Sequence, residues 1–119
     1  MYAPQVIDHF EHPRNSGIMD SPDVTVQTDN PACGDVMKLM LRVSGGAIKE
    51  AKYQVRGCVA SIACGSALTE MLTDKSFAEA AAIKRESLVQ ILGGLSNESM
   101  HASYLAMDAL KLALKHLQK

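Results

Sequence analysis

Alternating apolar and polar positions mark two strands near the middle of the chain. The segment 36–43 places apolar side chains at every second residue, and the segment 48–55 alternates apolar with charged residues. The intervening residues 44–46, Ser-Gly-Gly, tolerate positive φ, so the pattern predicts an antiparallel hairpin with a tight turn. A short further strand is predicted at 24–26, where the sequence is Val-Thr-Val.

Helical periodicity replaces the alternation beyond the hairpin. Small and apolar side chains recur about every 3.6 residues over 60–73, which predicts a helix there. Ser76 and Ser87 each open a Ser-x-x-Glu/Gln capping box, so each predicts a helix start. A short helix is predicted over 4–10, and a long last helix runs from about residue 97 to residue 119.

Strands followed by helices indicate an α+β fold, with helices packed on one face of a small antiparallel sheet. The 119 residues, 47% of them apolar, suit a single domain over 1–119. A net charge of -1 and few aromatic residues argue against nucleic acid as a partner. No apolar run approaches the ~20 residues that a membrane span needs, so we expect a cytoplasmic protein.

The three cysteines are an odd number, and in a reducing compartment they indicate metal ligands, reactive thiols or core residues. Cys33 and Asp35 share a turn-forming run before a strand, and Cys58 lies between a strand and a helix. Because adjacent antiparallel strands place the start of one beside the end of the other, these three side chains are expected to converge.

His101, predicted in the first turn of the last helix, is the candidate fourth ligand. Two thiolates, an imidazole and a carboxylate suit Zn(II) or an iron-sulfur cluster, and the spacing alone does not choose between them. Cys64 falls on the small, apolar stripe of its helix, which favours a core position over a ligand. His9, His12 and His116 are expected near helix ends as solvated or dipole-stabilised side chains rather than as ligands.

Four segments together resemble one family. They are VIDHFEHPRNSG at 6–17, NPACGDVMKL at 30–39, RGCVASIACGSALTEML at 56–72 and AIKRESL at 82–88. In one register over nearly the whole chain, they are similar to the IscU/NifU N-terminal type of iron-sulfur cluster assembly scaffold.

The resemblance implies the SufE/IscU-type fold, a three-stranded sheet packed with helices, and a rim site for a [2Fe-2S] cluster or iron. Zn(II) is able to occupy the same place. By position, Cys33 and Cys58 look like cluster ligands, Asp35 like the carboxylate that keeps the site labile, and His101 like the additional ligand. The implied partners are a cysteine desulfurase, which supplies sulfur, and recipient apo-proteins. A scaffold of this kind is not a turnover enzyme.

Two positions depart from the family pattern. The family has a third cysteine directly after the histidine, where this chain has Ala102. Residues 95–101, LSNESMH, lack the Leu-Pro-Pro-Val-Lys segment that a dedicated chaperone recognises, so dependence on that chaperone is doubtful. Two alternatives follow from Ala102. One is a zinc-bound persulfide acceptor using Cys33, Cys58 or Cys64, and the other is a degenerate paralogue that only docks on the desulfurase.

Overall fold

A computed structural model describes residues 2–31 and 34–117 and contains one antiparallel sheet. Its strands, in the spatial order β1-β2-β3, are β1 (Val24–Asn30), β2 (Asp35–Ser44) and β3 (Ala47–Arg56). Gly45 and Gly46 form the turn between β2 and β3 with φ values of 59° and 79°, a region that glycine enters at little cost. The predicted hairpin and the predicted three-stranded antiparallel sheet are therefore confirmed.

Strand β1 is longer than the three residues predicted for it. It continues to Asn30, which pairs with Asp35, whereas the apolar alternation ends at Val26. The second half of β1 is polar and only partly buried, so its sequence lacks the period-two signal. Pairing with β2 holds these residues in a strand, and the pairing continues to Asp35, the first residue of β2.

The helices of the described residues are α1 (Pro4–Glu11), α2 (Val59–Leu72), α3 (Phe77–Ala81), α4 (Arg85–Ile91) and α5 (Met100–Leu117), and a 3₁₀ turn (Asn97–Ser99) precedes α5. The predicted end of the last helix at Lys119 lies outside the described residues. No helix in the described ranges has both the length and the apolar character needed to cross a bilayer.

One of the two predicted capping boxes is confirmed. Ser76 Oγ accepts a hydrogen bond from the Glu79 backbone N-H at 3.0 Å, and Glu79 Oε1 accepts one from the Ser76 N-H at 2.9 Å. The helix start predicted at Ser87 is wrong, because α4 begins at Arg85 and Ser87 lies inside it. The Arg85 guanidinium stacks 4.6 Å from the centre of the Tyr104 ring on α5, a tertiary contact that accompanies the earlier start.

The core lies between the sheet and the helices. Met37, Leu39 and Leu41 of β2 are fully buried, while Val36 and Lys38, on the opposite face, are partly exposed. Helix α2 packs on β3, and α5 packs on β1 and β2. This arrangement confirms that the helices cover one face of the sheet, and it leaves the first turns of α2 and α5 close to the same end of β2.

Candidate metal centre

Asp35 and Cys58 meet at one end of the sheet. Asp35 is the first residue of β2, and Cys58 is the N-cap of α2, two residues after β3 ends. The register pairs Val36 with Arg56, so the start of β2 lies beside the end of β3. Cys58 Sγ lies 3.4 Å from Asp35 Oδ2 and is placed to donate a hydrogen bond to it. The topology predicted this approach of the two side chains.

His101 joins them from the first turn of α5. Its Nε2 lies 3.4 Å from Asp35 Oδ2 and 3.8 Å from Cys58 Sγ. Its Nδ1 lies 2.9 Å from the carbonyl oxygen of Glu98, which only accepts hydrogen bonds, so Nδ1 carries the proton and donates. Nε2 is therefore the ring nitrogen that faces Asp35 and Cys58.

The three ligand atoms lie within 4.8 Å of one another, the only such group of His, Cys, Asp or Glu side chains in the described parts of the chain. Asp35 is buried, and Cys58 and His101 are partly exposed. Thiolate sulfur, imidazole nitrogen and carboxylate oxygen are the donor types that Zn(II) takes, and mixed N and S ligation is known for iron-sulfur clusters. The donor set therefore fits a borderline-soft cation at the rim of the sheet.

Hydrogen bonds control the charge of Asp35. Burial opposes ionisation of this carboxyl group, which is 6% exposed. Hydrogen bonds from the Ser61 hydroxyl, from the thiol and backbone N-H of Cys58, and from His101 outweigh burial and lower the pKa of Asp35. Asp35 is thus an anion at neutral pH, which is the form that binds a cation.

Two neighbours of Asp35 were not singled out from the sequence as site residues. Ser61, fully buried in the first turn of α2, donates to Asp35 Oδ2 at 2.6 Å. Gly57 leaves space for the carboxylate, because a Cβ at this position would lie 2.6 Å from Asp35 Cγ. The only sequence signal for them is closeness to Cys58: Gly57 comes one residue before it and Ser61 three residues after it.

The remaining predicted site cysteines have different outcomes. Cys33 lies outside the described residues, so its role as a ligand stays a prediction. Cys64 is fully buried in the core, as its helical stripe indicated, and burial raises the pKa of its thiol to about 12. It is not among the three side chains whose ligand atoms converge. Ala102, the residue after His101, is also fully buried in the core.

The histidines predicted near helix ends differ in burial, and His9 lies in the last turn of α1. His9 is not solvated: it is 6% exposed, and its Nδ1 lies 2.8 Å from Ser66 Oγ on α2. The short helix α1 packs against α2, and this contact removes His9 from water. His12 and His116 are exposed, as predicted.

An open concavity of about 280 Å³ lies beside the imidazole of His101. It is lined by Asp29, Asn30, Pro31, His101, Tyr104, Leu105 and Asp108. The walls come from the end of β1 and the first turns of α5, and His101 is the member of the converging group that lines it.

Comparison with known proteins identifies the family. The sequence model of the family described as the NifU-like N terminal domain matches residues 1–119. The chain belongs to this family. One relative of this chain is the iron-sulfur cluster assembly scaffold protein IscU of Escherichia coli K12. It is 43% identical to this chain over 117 residues, which cover 95% of this chain and 91% of the relative.

A Drosophila melanogaster relative, named iron-sulfur cluster assembly enzyme IscU, is 43% identical over 118 residues, covering 96% of this chain and 76% of the relative. A crystal structure from Fervidobacterium islandicum AW-1, of a protein proposed as an iron-sulfur cluster assembly scaffold for the SUF system, superposes with a TM-score of 0.81. It covers 95% of this chain and 96% of its own at 18% identity. That likeness shows the NifU-like α+β fold.

Proposed function

We propose that this chain is an iron-sulfur cluster assembly scaffold, in which residues 1–119 act as one domain that holds iron or a [2Fe-2S] cluster as cargo. The observation that carries the proposal is the convergence of Asp35, Cys58 and His101, whose ligand atoms lie within 4.8 Å of one another. Relatives named as iron-sulfur cluster assembly scaffolds, at 43% identity over most of the chain, support the same function.

The proposed ligands are Cys33, Asp35, Cys58 and His101. Cys33 is included among the ligands because of its position in the sequence, two residues before Asp35 and next to Gly34. Thiolates bind iron strongly, whereas a carboxylate is a harder ligand that exchanges more readily on an iron-sulfur cluster. A mixed ligand set at an open rim suits cargo that must be released, and we propose that the chain passes its cluster on without acting as a turnover enzyme.

The proposed partners are a cysteine desulfurase, which supplies sulfur, and apo-proteins that receive the cluster. Both would approach the open rim, where Cys58 and His101 are partly exposed. Free thiols are needed at this site, so we propose a reducing compartment, the cytoplasm. The segment 95–101 lacks the Leu-Pro-Pro-Val-Lys sequence, and we propose delivery that does not depend on the dedicated chaperone.

Ala102 favours a second candidate function, a zinc-bound acceptor that relays persulfide sulfur. With alanine in this position, the acceptor thiol would be Cys33 or Cys58, because Cys64 is fully buried and its pKa is raised to about 12. The three converging donors also suit Zn(II) in a tetrahedral site. A paralogue that docks on the desulfurase without loading any metal is the remaining alternative.

Anaerobic reconstitution tests the proposal. The protein is incubated with ferric iron, sulfide and thiol, desalted, and assayed for iron, acid-labile sulfide and zinc per chain and for visible absorption. We expect near-stoichiometric iron and sulfide with a thiolate-to-iron charge-transfer band. Cys58→Ala should lose the band, while Cys64→Ala, the matched control, should keep it. Zinc without sulfide would favour the relay, and equal loading of Cys58→Ala and the wild-type protein would refute the proposed site.

A further inference from the structure

Ser61 holds the oxygen atom on which the candidate metal centre converges. Its hydroxyl donates to Asp35 Oδ2 at 2.6 Å, and this same oxygen lies 3.4 Å from Cys58 Sγ and 3.4 Å from His101 Nε2. Ser61 Oγ is itself 3.4 Å from Cys58 Sγ. A single buried hydroxyl therefore touches two of the three converging side chains.

The direction of the hydrogen bond follows from the chemistry of the groups. An ionised carboxylate only accepts, so the one hydroxyl proton of Ser61 points to Oδ2. Hydrogen bonds between a hydroxyl and a carboxylate are short and strong, in keeping with the 2.6 Å distance. Ser61 is fully buried, so water does not compete for its hydroxyl group.

The orientation of the Asp35 carboxylate depends on its hydrogen-bond donors, which are the Ser61 hydroxyl, the thiol and backbone N-H of Cys58, and His101. The last torsion of an aspartate has a broad and roughly two-fold distribution, so either oxygen is able to turn towards the sheet or away from it. Gly57 contributes space beside Asp35 and no side chain. Among the side chains that contact Oδ2, Ser61 is the one that is not itself a proposed ligand, and its hydrogen bond is the shortest, so it is placed to fix which oxygen faces Cys58 and His101.

We propose that Ser61 is a positioning residue of the metal centre, whose hydroxyl holds Asp35 Oδ2 towards the space shared with Cys58 Sγ and His101 Nε2. The inference rests on the proposed function in one respect, namely that Asp35 is a ligand. Partners that orient a metal ligand by hydrogen bonding typically contribute 10- to 100-fold to metal affinity. Ser61 acts through Asp35 and does not itself bind the ion.

Titration with Co(II) measures this contribution, because the d–d absorption of Co(II) reports its ligands and geometry. We expect Ser61→Ala to weaken Co(II) binding by about tenfold or more and to shift the d–d bands. Ser61→Thr, which restores a hydroxyl, should recover most of the affinity. Ser66→Ala is the matched control: Ser66 is also fully buried on α2, but its hydroxyl contacts His9 and the backbone of Arg14. It should bind Co(II) like the wild-type protein.

A double-mutant cycle separates positioning from a general structural effect. If Ser61 acts through Asp35, Ser61→Ala should have no further effect on Co(II) affinity in an Asp35→Ala background. Wild-type affinity and bands in Ser61→Ala would overturn the inference, as would an equal loss in both backgrounds. In either case, strong Co(II) binding by the wild-type protein would leave the proposed function standing. Failure of the wild-type protein to bind Co(II) would overturn both proposals.

Discussion

His9 Nδ1 lies 2.8 Å from Ser66 Oγ, and this contact joins α1 to the middle of α2. The Ser66 oxygen also accepts a hydrogen bond from the Arg14 backbone N-H at 2.9 Å, so its own proton is available to His9. Burial, followed by the positive charge of Arg14, lowers the pKa of His9 below its usual 6.5, while Glu70 and Asp8 act in the opposite direction. The neutral imidazole is therefore the form that the packed α1 favours.

The contribution of His9 to the stability of the folded protein should consequently decrease as the pH is lowered. Because the pKa of His9 is lower in the folded state, its stabilising contribution is complete above pH 6.5 and is lost as the pH falls towards the folded value. We expect the urea midpoint of the wild-type protein to decrease below pH 6.5, and that of His9→Gln to decrease less. His116→Gln, a change at an exposed histidine, is the control. Identical pH profiles for the wild-type protein and His9→Gln would contradict this role for His9.

Gly65 lies where α2 crosses Tyr53, and a methyl group there should destabilise the fold. A Cβ at this position would overlap the Tyr53 ring, which is almost completely buried and whose hydroxyl donates to the Ile62 carbonyl at 3.0 Å. Overpacking of this kind costs about 1–3 kcal/mol. We expect Gly65→Ala to lower the free energy of unfolding in a urea titration by that amount. An unchanged midpoint would show that the helix shifts away from Tyr53 without cost.

The α+β fold was predictable because its main signals are local. The alternation in β2 and β3 comes from residues that bury one face of the sheet, and α2 is marked by a run of small and apolar residues, most of which are buried. The second half of β1 was missed, because its polar residues are strand only through pairing with β2. The helix start at Ser87 was wrong: α4 begins at Arg85, and the Ser87 N-H already donates to the Lys84 carbonyl oxygen at 3.0 Å.

The site was predictable only in part for the same reason. Asp35 and Cys58 follow from the antiparallel topology, which puts both at one end of the sheet. His101 came from its place near the start of the last helix. Ser61 and Gly57 were not singled out, because a serine in an Ala/Ser-rich helix and a glycine before a cysteine are common. Their role depends on the carboxylate of Asp35, which is on β2 and distant from both in sequence.

Cys58 and Cys64 should differ strongly in reactivity. The thiolate is the nucleophile, and burial raises the pKa of the Cys64 thiol to about 12, whereas Cys58 is partly exposed. We expect iodoacetamide at pH 8 to modify Cys58 in the folded protein and Cys64 only after unfolding, as measured by peptide mass spectrometry. Cys64→Ala should lower the free energy of unfolding by about 1 kcal/mol through lost packing. Equal labelling of both thiols in the folded protein would contradict the core assignment.

Gly57→Ala should displace Asp35 from the metal centre. The added methyl carbon would lie 2.6 Å from Asp35 Cγ, much closer than van der Waals contact allows, so the carboxylate has to move. Since the Asp35 hydrogen bonds to Ser61 and Cys58 would then lengthen or break, we expect Co(II) affinity to fall by about tenfold.

Stability should fall as well, by about 1–3 kcal/mol, because the clash and the weakened hydrogen bonds both act on the folded state. The double variant Gly57→Ala/Asp35→Gly removes the opposing carboxylate and should regain part of that stability while still binding Co(II) weakly. Urea titration and Co(II) titration of the four proteins in this cycle would measure both effects. If Gly57→Ala binds Co(II) as tightly as the wild-type protein, displacement of Asp35 does not weaken the site. Metal binding would then not depend on the position of Asp35 in this structure.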